Sequence, residues 1–367
     1  MKKKLKTLWL APNLNHYKAR FLNHLANESD VDLTILSGTG RNQMGDLELI
    51  QDWGFQHVKV NVPKKTFGNS KIVKEQLATI FNQFDWVLIP AEKKNLLLFL
   101  FALKLRKKNT SVRLFSYNHP TLKSKNGKIT ILDKLITKFY YKKLDRVIFY
   151  TESSCKWAVK SNLIKQQKAF WANNTVDNTE IDKYYSYQLP PENKPKILFI
   201  GRLIASKRIE DLIIYYNQLK LNMSNLTLDI IGDGPENELV RDIVISDKSI
   251  TWHGAIVDEA KIAPIMKESS LVFVPGHSGL SINHAFAYGR PYITIEGPSH
   301  APEISYIQQG LNGYVLKNNL EFNINIFKKI LTDNNVLKKL CNKAKLDGEY
   351  LSVQRWSNQF IESLKDA

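Results

Sequence analysis

Short apolar runs alternate along the chain with longer stretches in which apolar residues recur every three or four positions. The longer stretches have the spacing of amphipathic helices and include residues 17–27, 72–84, 207–219 and 259–269. The short runs predict strands, among them residues 5–11, 31–38, 85–90, 112–118, 146–151, 194–203, 226–234, 250–256, 271–276 and 291–297. Strand then helix, repeated through both halves, predicts an α/β protein with two doubly wound parallel sheets.

The break between the sheets is expected at a proline-rich polar stretch, YQLPPENKP, residues 187–195. A length of 367 residues also favours two domains. We therefore predict Rossmann-like domains at residues 1–188 and 189–350, with a last helix in residues 351–367 that packs back on the first domain. Such folds bind ligands beyond the carboxyl ends of their strands, so the active site is expected in a cleft between the facing sheets.

The formal net charge of +17 belongs entirely to the N-terminal half. Up to residue 190 there are 32 Lys and Arg against 15 Asp and Glu, and afterwards 20 against 20. This asymmetry predicts an anionic partner there: a nucleic acid, an acidic membrane surface or a phosphorylated substrate. Lysine-rich solvation is the alternative. Nucleic acid is disfavoured because the basic residues are not interleaved with aromatics on one module.

The two cysteines, Cys155 and Cys341, form no disulfide framework or metal-ligand pattern, which favours a reducing cytosol. The N-terminus, MKKKLKTLWLAPN, starts with lysines, but its apolar run is short and ends at Pro12. It therefore predicts a first strand and not a signal peptide. No run approaches the roughly 18 to 20 apolar residues that a membrane-spanning helix needs.

Two cations follow a predicted strand of the second half. Gly201 and Arg202 end this strand, and Lys207 opens the next predicted helix. Glycine lets a phosphate approach the backbone, and arginine binds phosphate oxygens through paired hydrogen bonds. The arrangement suits the two charges of a diphosphate, although an exposed loop with a helical lysine has the same pattern.

Two further segments follow predicted strands. GDGP, residues 232–235, is on its own a good turn before a helix. PGHSGLSINHAFAYGRP, residues 275–291, predicts a loop and then a helix from about Leu280. Backbone N–H groups of residues 278–281 are expected to form an anion site at the start of that helix. The segment contains no carboxylate and carries His284 inside its helix.

Together these segments resemble the family 4 retaining glycosyltransferases of the GT-B fold. The family pattern has a GRL…K turn, a GDGP turn, a loop-helix E-G-F-G-L-x-x-x-E-A-x-A-x-G-x-P, a GG-x-P-E segment and a final G-x-N-G. The chain has, in the same order, GRLIASK (201–207), GDGP (232–235), GHSGLSINHAFAYGRP (276–291), SHAPE (299–303) and GLNG (310–313). The first half is similar more loosely, at residues 12–27 and at ANNTVDN, residues 172–178.

The resemblance places the family's paired glutamates at Gly276 and His284. In the family, the first contacts the transferred sugar or its phosphate, and the second accepts hydrogen bonds from the ribose hydroxyls. Glycine offers no side chain for this, whereas a neutral histidine can accept one hydrogen bond, and His277 could contact the phosphate or the sugar. We expect a variant enzyme, because retaining transfer in this fold is thought to need positioning and charge stabilisation but no carboxylate nucleophile.

The resemblance also implies the remaining site residues. Arg202, Lys207 and His119 are the expected catalytic residues, with His119 contacting the transferred sugar. The expected donor-binding residues are Gly201, Gly232, Asp233, Gly254, Ile256, Gly276, His277, Ser278, Gly279, Leu280, Ser281, His284 and Glu303. Asn15, His16 and Arg20 are expected to contact the acceptor. The main chain of the WHGAI turn, residues 252–256, could read a pyrimidine edge, which favours UDP over GDP. No metal or other cofactor is expected.

Residues 92–108 and 122–143 combine apolar runs with basic flanks. A buried helix would explain part of the first segment, but such helices also suit a bilayer interface. They predict peripheral binding to an anionic inner leaflet, where a lipid-diphosphate sugar acceptor would lie.

We therefore predict a cytoplasmic, metal-independent, retaining glycosyltransferase of hexosyl or N-acetylhexosaminyl type. It would move a sugar from a nucleotide sugar, UDP-linked by preference, to a glycan or lipid-linked glycan. Bacterial surface polysaccharide, lipopolysaccharide or capsule, is the context that the resemblance implies. A non-catalytic sugar-nucleotide-binding or scaffold protein is the alternative, and an epimerase or hydrolase of a sugar nucleotide is a third possibility.

Overall fold

The computed structural model describes residues 4–28, 30–39, 52–122, 129–298 and 300–365. These residues form two compact units. The first unit runs to Asn174 and takes up the chain again at Val353, and the second spans Thr175–Ser352. Each unit contains one parallel sheet with helices packed against it.

The sheet of the first unit has the strand order β3-β2-β1-β4-β5-β6-β7 in the described part of the chain. Its strands are β1 Leu5–Ala11, β2 Val31–Ser37, β3 Gln56–Lys59, β4 Trp86–Leu88, β5 Arg113–Asn118, β6 Arg146–Phe149 and β7 Ala169–Trp171. The order reverses between β1 and β4, as in a doubly wound sheet, so the loops after these strands leave the same edge.

The sheet of the second unit has the order β10-β9-β8-β11-β12-β13. Its strands are β8 Lys196–Ile200, β9 Thr227–Ile231, β10 Ile250–Trp252, β11 Leu271–Phe273, β12 Tyr292–Ile295 and β13 Gly313–Leu316. This is the order of the dinucleotide-binding fold, and its topological switch point lies between β8 and β11. The loops after these two neighbouring strands are therefore the first place to look for a ligand site.

The sheets are covered by α-helices, most of which alternate with the strands along the chain. In chain order the helices are α1 His16–Ala26, α2 Lys71–Ile80, α3 Leu96–Lys108, α4 Ile131–Lys143, α5 Glu152–Lys160, α6 Asn178–Asp182, α7 Ile209–Lys220, α8 Asn237–Ser246, α9 Glu259–Glu268, α10 Leu280–Ala287, α11 Leu320–Thr332, α12 Asn334–Tyr350 and α13 Val353–Leu364.

The last helix, α13, completes the core of the first unit. Trp356 lies 4.7 Å from Phe21 between ring centroids, and Phe360 stacks on Trp9 at 5.6 Å. The indole N–H of Trp356 also donates to the Tyr117 hydroxyl at 3.1 Å. Burying two large aromatic rings stabilises the unit by about 1.5–3 kcal/mol for each ring, so α13 is an integral part of this core.

The second unit begins earlier than the proline-rich stretch suggested. The Tyr185 hydroxyl donates to the Tyr288 carbonyl at 3.1 Å, and the fully buried Arg290 donates to the Gln188 carbonyl at 3.0 Å. Residues before 189 are thus bonded to the segment that follows α10 in the second unit. A polar, proline-rich stretch has the composition of a linker, but here its start is anchored.

Candidate functional site

The loops after β8 and β11 are joined directly by main-chain hydrogen bonds. The Gly276 N–H donates to the Lys207 carbonyl at 3.1 Å, and the His277 N–H donates to the Ser206 carbonyl at 2.7 Å. The turn at residues 205–207 therefore lies against the start of the 276–279 loop, at the switch point of the sheet. This contact brings Lys207, one of the two predicted cations, beside the predicted anion loop.

Gly276 is required by the closeness of this contact. A Cβ atom added there would lie 2.1 Å from the Ser206 carbonyl oxygen and 2.7 Å from the Lys207 carbonyl carbon. Both neighbours are backbone atoms, which cannot move aside as a flexible side chain could. A glutamate, the residue that the family motif has here, would displace the 205–207 turn. The absence of a side chain is thus built into the way the two loops meet.

Lys207 lies in a 3₁₀ turn, Ala205–Lys207, and not at the start of α7 as predicted. Arg208 follows in the left-handed conformation, with φ of 59°, and separates this turn from the helix. The ammonium group of Lys207 is buried and donates to the His277 carbonyl at 2.6 Å. Burial, reinforced by the charge of Arg202, lowers the pKa of Lys207 to about 8. At pH 7 the side chain therefore remains mostly charged.

The turns after β8 and β9 are also in contact. A Cβ atom on Gly232 would lie 1.8 Å from the Gly201 carbonyl oxygen, so glycine is needed at that approach. Asp233 contributes its carbonyl to the Leu203 N–H at 3.0 Å and its Oδ1 atom to the Gly234 N–H at 2.7 Å. In this structure the carboxylate of Asp233 shapes the turn.

The loop after β10 closes the other side of this edge. The Gly232 N–H donates to the Gly254 carbonyl at 2.7 Å, and the indole N–H of Trp252 donates to the Gly232 carbonyl at 2.8 Å. Gly254 has a left-handed φ of 67°, and no atom lies within 4 Å of an added Cβ. Ile256 is half-buried just beyond it. This stretch combines a fixed main chain with open space, as a base-recognition loop requires.

His300 holds the β11 loop in place, which the sequence did not predict. Its Nδ1 atom accepts from the Ser278 N–H at 3.1 Å, and its Nε2 atom lies 2.8 Å from the Ile295 carbonyl. The two contacts together require the neutral Nε2–H tautomer, and burial lowers the pKa of His300 accordingly. Because the Ser278 N–H already has a partner inside the protein, the predicted anion site is reduced to residues 279–281. These three are partly exposed at the start of α10.

Glu303 lies beside the same helix start. It is buried, in the 3₁₀ helix Pro302–Tyr306. Its Oε2 atom is 3.9 Å from a Cβ position built on Gly279. The structure thus brings a carboxylate near the predicted anion loop, although that loop and its helix contain none.

His284 is buried. A residue that binds a ligand directly would, in the simplest case, be exposed. Its Nε2 atom lies 3.1 Å from Oε2 of Glu259, and the Tyr288 hydroxyl donates to the same oxygen at 2.7 Å. All three side chains are buried. Glu259 is the first residue of α9, and sequence reasoning missed it, because an acidic residue in the first turn of a helix is ordinary.

Comparison with known proteins agrees with the architecture of two parallel sheets. Residues 194–332 match the family model described as Glycosyl transferases group 1. No curated protein matches the chain. Among solved structures, a glycosyltransferase from Rickettsia africae superposes with a TM-score of 0.70 at 15% identity, covering 99% of this chain and 100% of that one.

HepE of Anabaena, solved in complex with UDP, superposes with a TM-score of 0.68 at 14% identity, covering 98% of this chain and 99% of that one. TarM gives a TM-score of 0.59 at 15% identity over 77% of this chain, which spans 55% of the TarM chain. The fold is GT-B. The predicted fold class is therefore confirmed, with two α/β units built on parallel sheets.

The residues predicted to contact the acceptor and the transferred sugar lie in the first unit. His119 follows β5, is exposed, and lies edge-on to Tyr150 at 5.0 Å between ring centroids. The Asn15 Oδ1 atom caps α1 by accepting from the Lys18 N–H at 3.1 Å. His16 is buried with its ring 4.0 Å from that of Tyr17, and Arg20 is half-buried on α1. Asn15 and His16 thus have structural surroundings, whereas His119 stays accessible.

Within the described ranges, no group of three or more His, Cys, Asp or Glu side chains is placed to hold a metal ion. Among the helices of those ranges, none has the length and apolar character that crossing a bilayer requires.

Proposed function

We propose that this protein is a retaining glycosyltransferase that takes its sugar from a nucleotide sugar bound at the loops of the second unit. One observation carries the proposal. The turn that ends at Lys207, whose charge interacts with that of Arg202, is bonded to the loop that opens α10, at the switch point of a sheet within the residues that match a glycosyltransferase family model. A donor diphosphate placed there would meet two cations and the positive end of a helix.

The chemistry of such a site is electrostatic. When the bond between sugar and diphosphate breaks, negative charge develops on the leaving phosphate, and fixed positive groups stabilise that charge. The Lys207 ammonium is held by the His277 carbonyl and does not have to be ordered during the reaction. The donor phosphate itself would take the acceptor proton, so the glycine at residue 276 does not prevent transfer. We expect no metal requirement, because Arg202 and Lys207 supply the positive charge.

UDP is the proposed nucleotide. The fixed main chain around Gly254 suits the edge of a pyrimidine, and HepE, a structural relative, was solved with UDP. His119 is proposed to hydrogen-bond the transferred sugar, as the resemblance implies. The sugar, hexosyl or N-acetylhexosaminyl, and a glycan of bacterial surface polysaccharide as acceptor are part of the same proposal.

Calorimetric titration with UDP, GDP and their common sugar conjugates, with EDTA present throughout, tests the donor site. Micromolar binding of one nucleotide without metal supports it, and absence of binding by all of them contradicts it. Incubation of the preferred sugar nucleotide with candidate acceptors then separates the alternatives. A scaffold protein would bind without turnover, and a sugar-nucleotide epimerase or hydrolase would turn over the donor without acceptor. The anomeric configuration of the product, measured by NMR, tests retention.

The place of action is proposed to be an anionic membrane surface, because α4 exposes large apolar side chains. The helix has an inverted distribution of polarity: Asp133 and Thr137 are fully buried, whereas Ile131 is 80% exposed, Leu132 63% and Leu135 60%. The buried Asp133 forms an ion pair with Lys93 and, with Thr130, caps the helix. Exposing large apolar side chains on a helix is costly in water unless another surface covers them.

The surroundings of this face favour anionic lipid over a second copy of the chain. Exposed lysines lie along the same side of α4 and on the neighbouring α3, where Leu97 and Leu100 are also exposed: Lys104, Lys107, Lys108, Lys134, Lys138, Lys142 and Lys143. The helices are adjacent, since the ring of Phe99 stacks on that of Tyr140 at 3.7 Å. A symmetric dimer through this face would bring like charges together, whereas lipid phosphates would neutralise them.

Sedimentation with phosphatidylcholine vesicles, with and without phosphatidylglycerol, tests this surface. The wild type should bind only the anionic vesicles, and Ile131→Ser with Leu135→Ser should weaken that binding at least about tenfold. Leu221→Ser is the matched control, because Leu221 is 79% exposed in the second unit. Equal loss in the control, binding independent of lipid charge, or a dimer that the α4 variant dissolves would each contradict membrane docking.

A further inference from the structure

The buried group of Glu259, His284 and Tyr288 has no role in the chemistry so far described. Glu259 is 5% exposed and His284 is 2% exposed. Burying a carboxylate costs free energy unless hydrogen-bond partners replace the lost water. Here the His284 ring and the Tyr288 hydroxyl do so at the Oε2 atom of Glu259. A charged group kept inside at such cost often belongs to a functional site.

Helix capping does not explain Glu259. The Asp258 side chain already caps α9 by accepting from the Ala260 N–H at 3.0 Å. The Glu259 carboxylate instead points to α10, towards the helix position at which the family motif has its second glutamate. The second unit therefore has a carboxylate at this place, supplied by a different helix and separated from the motif position by an imidazole ring.

The chemistry of this pair is directional. A carboxylate can only accept, so His284 donates from Nε2 to Glu259, and in the neutral form of the ring this leaves Nδ1 as the acceptor. The two ring nitrogens diverge, so Nδ1 faces away from the carboxylate. A fixed tautomer of this kind is how a second residue orients a histidine at a binding site.

We propose that Glu259 is a positioning residue for ribose recognition: it acts through His284, whose Nδ1 accepts a hydrogen bond from a ribose hydroxyl of the nucleotide. The inference rests on the proposed donor site in the second unit. Two neighbouring elements support the location. Glu259 follows the loop of Gly254 and Ile256, and His284 lies on the helix that begins at the proposed phosphate loop.

Calorimetry with UDP, 2′-deoxy-UDP and 3′-deoxy-UDP tests the ribose contact. The wild type should bind UDP about tenfold more tightly than one of the deoxy compounds, the effect of one lost hydrogen bond to a buried partner. In Glu259→Gln the amide can donate to Nε2 as well as accept from it, so the tautomer is no longer fixed by a group that only accepts, and the discrimination should fall to about twofold. The affinity for the deoxy compound itself should stay unchanged.

A rescue distinguishes positioning from mere support of the fold. In the double variant Glu259→Gln with His284→Glu, the carboxylate moves to α10 and the new amide on α9 can donate to it, so the discrimination should return. Tyr288→Phe is the matched control, since it removes the other hydrogen bond to Glu259 and leaves the imidazole contact. Discrimination that survives Glu259→Gln, or that the double variant does not restore, would overturn the proposal.

The tautomer is measurable without any variant. Two-dimensional ¹⁵N–¹H NMR of the histidine rings should show His284 with its proton on Nε2, and a proton on Nδ1 alone would overturn the inference. Equal wild-type affinity for UDP and both deoxy compounds would also overturn it, with the proposed donor site intact. Absence of any UDP binding would instead remove the proposed donor site, and this inference with it.

Discussion

The carboxyl-end edges of the two sheets differ in the groups that they offer to a ligand. In the second unit, the loops after β8, β9, β10 and β11 are bonded to one another by main-chain hydrogen bonds, and glycines allow the backbones to touch. In the first unit, loops at the same edge are also bonded to one another, as the Gly38 N–H is to the Ala11 carbonyl at 3.1 Å, but the residues predicted to bind there would do so through side chains. His119 is exposed after β5, and Asn15 is used to cap a helix.

This difference fits the two ligands of the proposed reaction. A diphosphate has the same shape and charge in every donor, so fixed donors and cations can be arranged for it in advance. Acceptors vary, and an edge with accessible side chains leaves room for them. We call the edge of the second sheet the rigid edge and that of the first sheet the open edge. The rigid edge is expected to be the more sensitive to substitution.

Gly276→Glu, at the edge of the second sheet, should have the largest effect on nucleotide binding and stability. Its added side chain would begin 2.1 Å from the Ser206 carbonyl, which forces the cationic turn away from the β11 loop. We expect nucleotide binding to be abolished, together with a loss of stability in the upper part of the usual range for single variants, about 3 kcal/mol. Calorimetry and thermal unfolding measure the two effects.

The control for this variant is Gly297→Ala, at the same sheet edge. The closest atom to a Cβ there is 3.8 Å away, so binding and stability should both be retained. If Gly276→Glu bound nucleotide normally, the two loops would not be interlocked in solution, and the contrast between the edges would fail.

Lys207→Met should come next, with a loss of about 10- to 100-fold in nucleotide affinity. The substitution removes a charge-assisted hydrogen bond to phosphate while keeping most of the buried volume. Arg202→Ala should have a comparable effect, and Lys248→Met, at an exposed lysine of the same unit, should have none. Unchanged binding in both Lys207 and Arg202 variants would contradict the donor-site assignment.

The lowered pKa of Lys207 adds a dependence on pH. Bound diphosphate favours the ammonium form and raises the pKa, so affinity should be constant below pH 7 and fall above about pH 8, by up to tenfold per pH unit. Without ligand, the Lys207 ammonium loses its proton at a lower pH in the folded protein than in the unfolded chain. The contribution of Lys207 to the free energy of unfolding therefore rises with pH between about pH 8 and the pKa of the lysine in the unfolded chain. Lys207→Met should remove the slope in affinity.

The sequence motifs at the edge of the second sheet include positions where backbone geometry demands particular residues. Gly232 and Gly276 stand where any Cβ would collide with a carbonyl group, and such positions are visible as motifs. The sequence did not predict Glu259 or His300, whose roles depend on side chains from distant segments that meet only in the folded unit. It also omitted the strands β3, β7 and β13.

On the open edge, His119→Ala should lower the rate of sugar transfer about 10- to 100-fold while leaving the nucleotide dissociation constant within about twofold. The side chain is exposed, so the fold should be unaffected. Comparison of transfer kinetics with calorimetry tests this split. Equal losses of binding and transfer would show that His119 acts on the nucleotide, and no loss of either would remove it from the mechanism.

The smallest expected effect is at Asn15, where two roles can be separated. Asn15→Ala removes the cap of α1 and should lower the free energy of unfolding by about 1 kcal/mol. Asn15→Asp keeps a capping oxygen but loses the side-chain N–H donor. If Asn15 also contacts the acceptor through that donor, the aspartate variant should keep its stability and show a raised KM for the acceptor. If the aspartate variant matches the wild type in both measurements, Asn15 only caps the helix, and the open edge has one acceptor residue fewer than the sequence predicted.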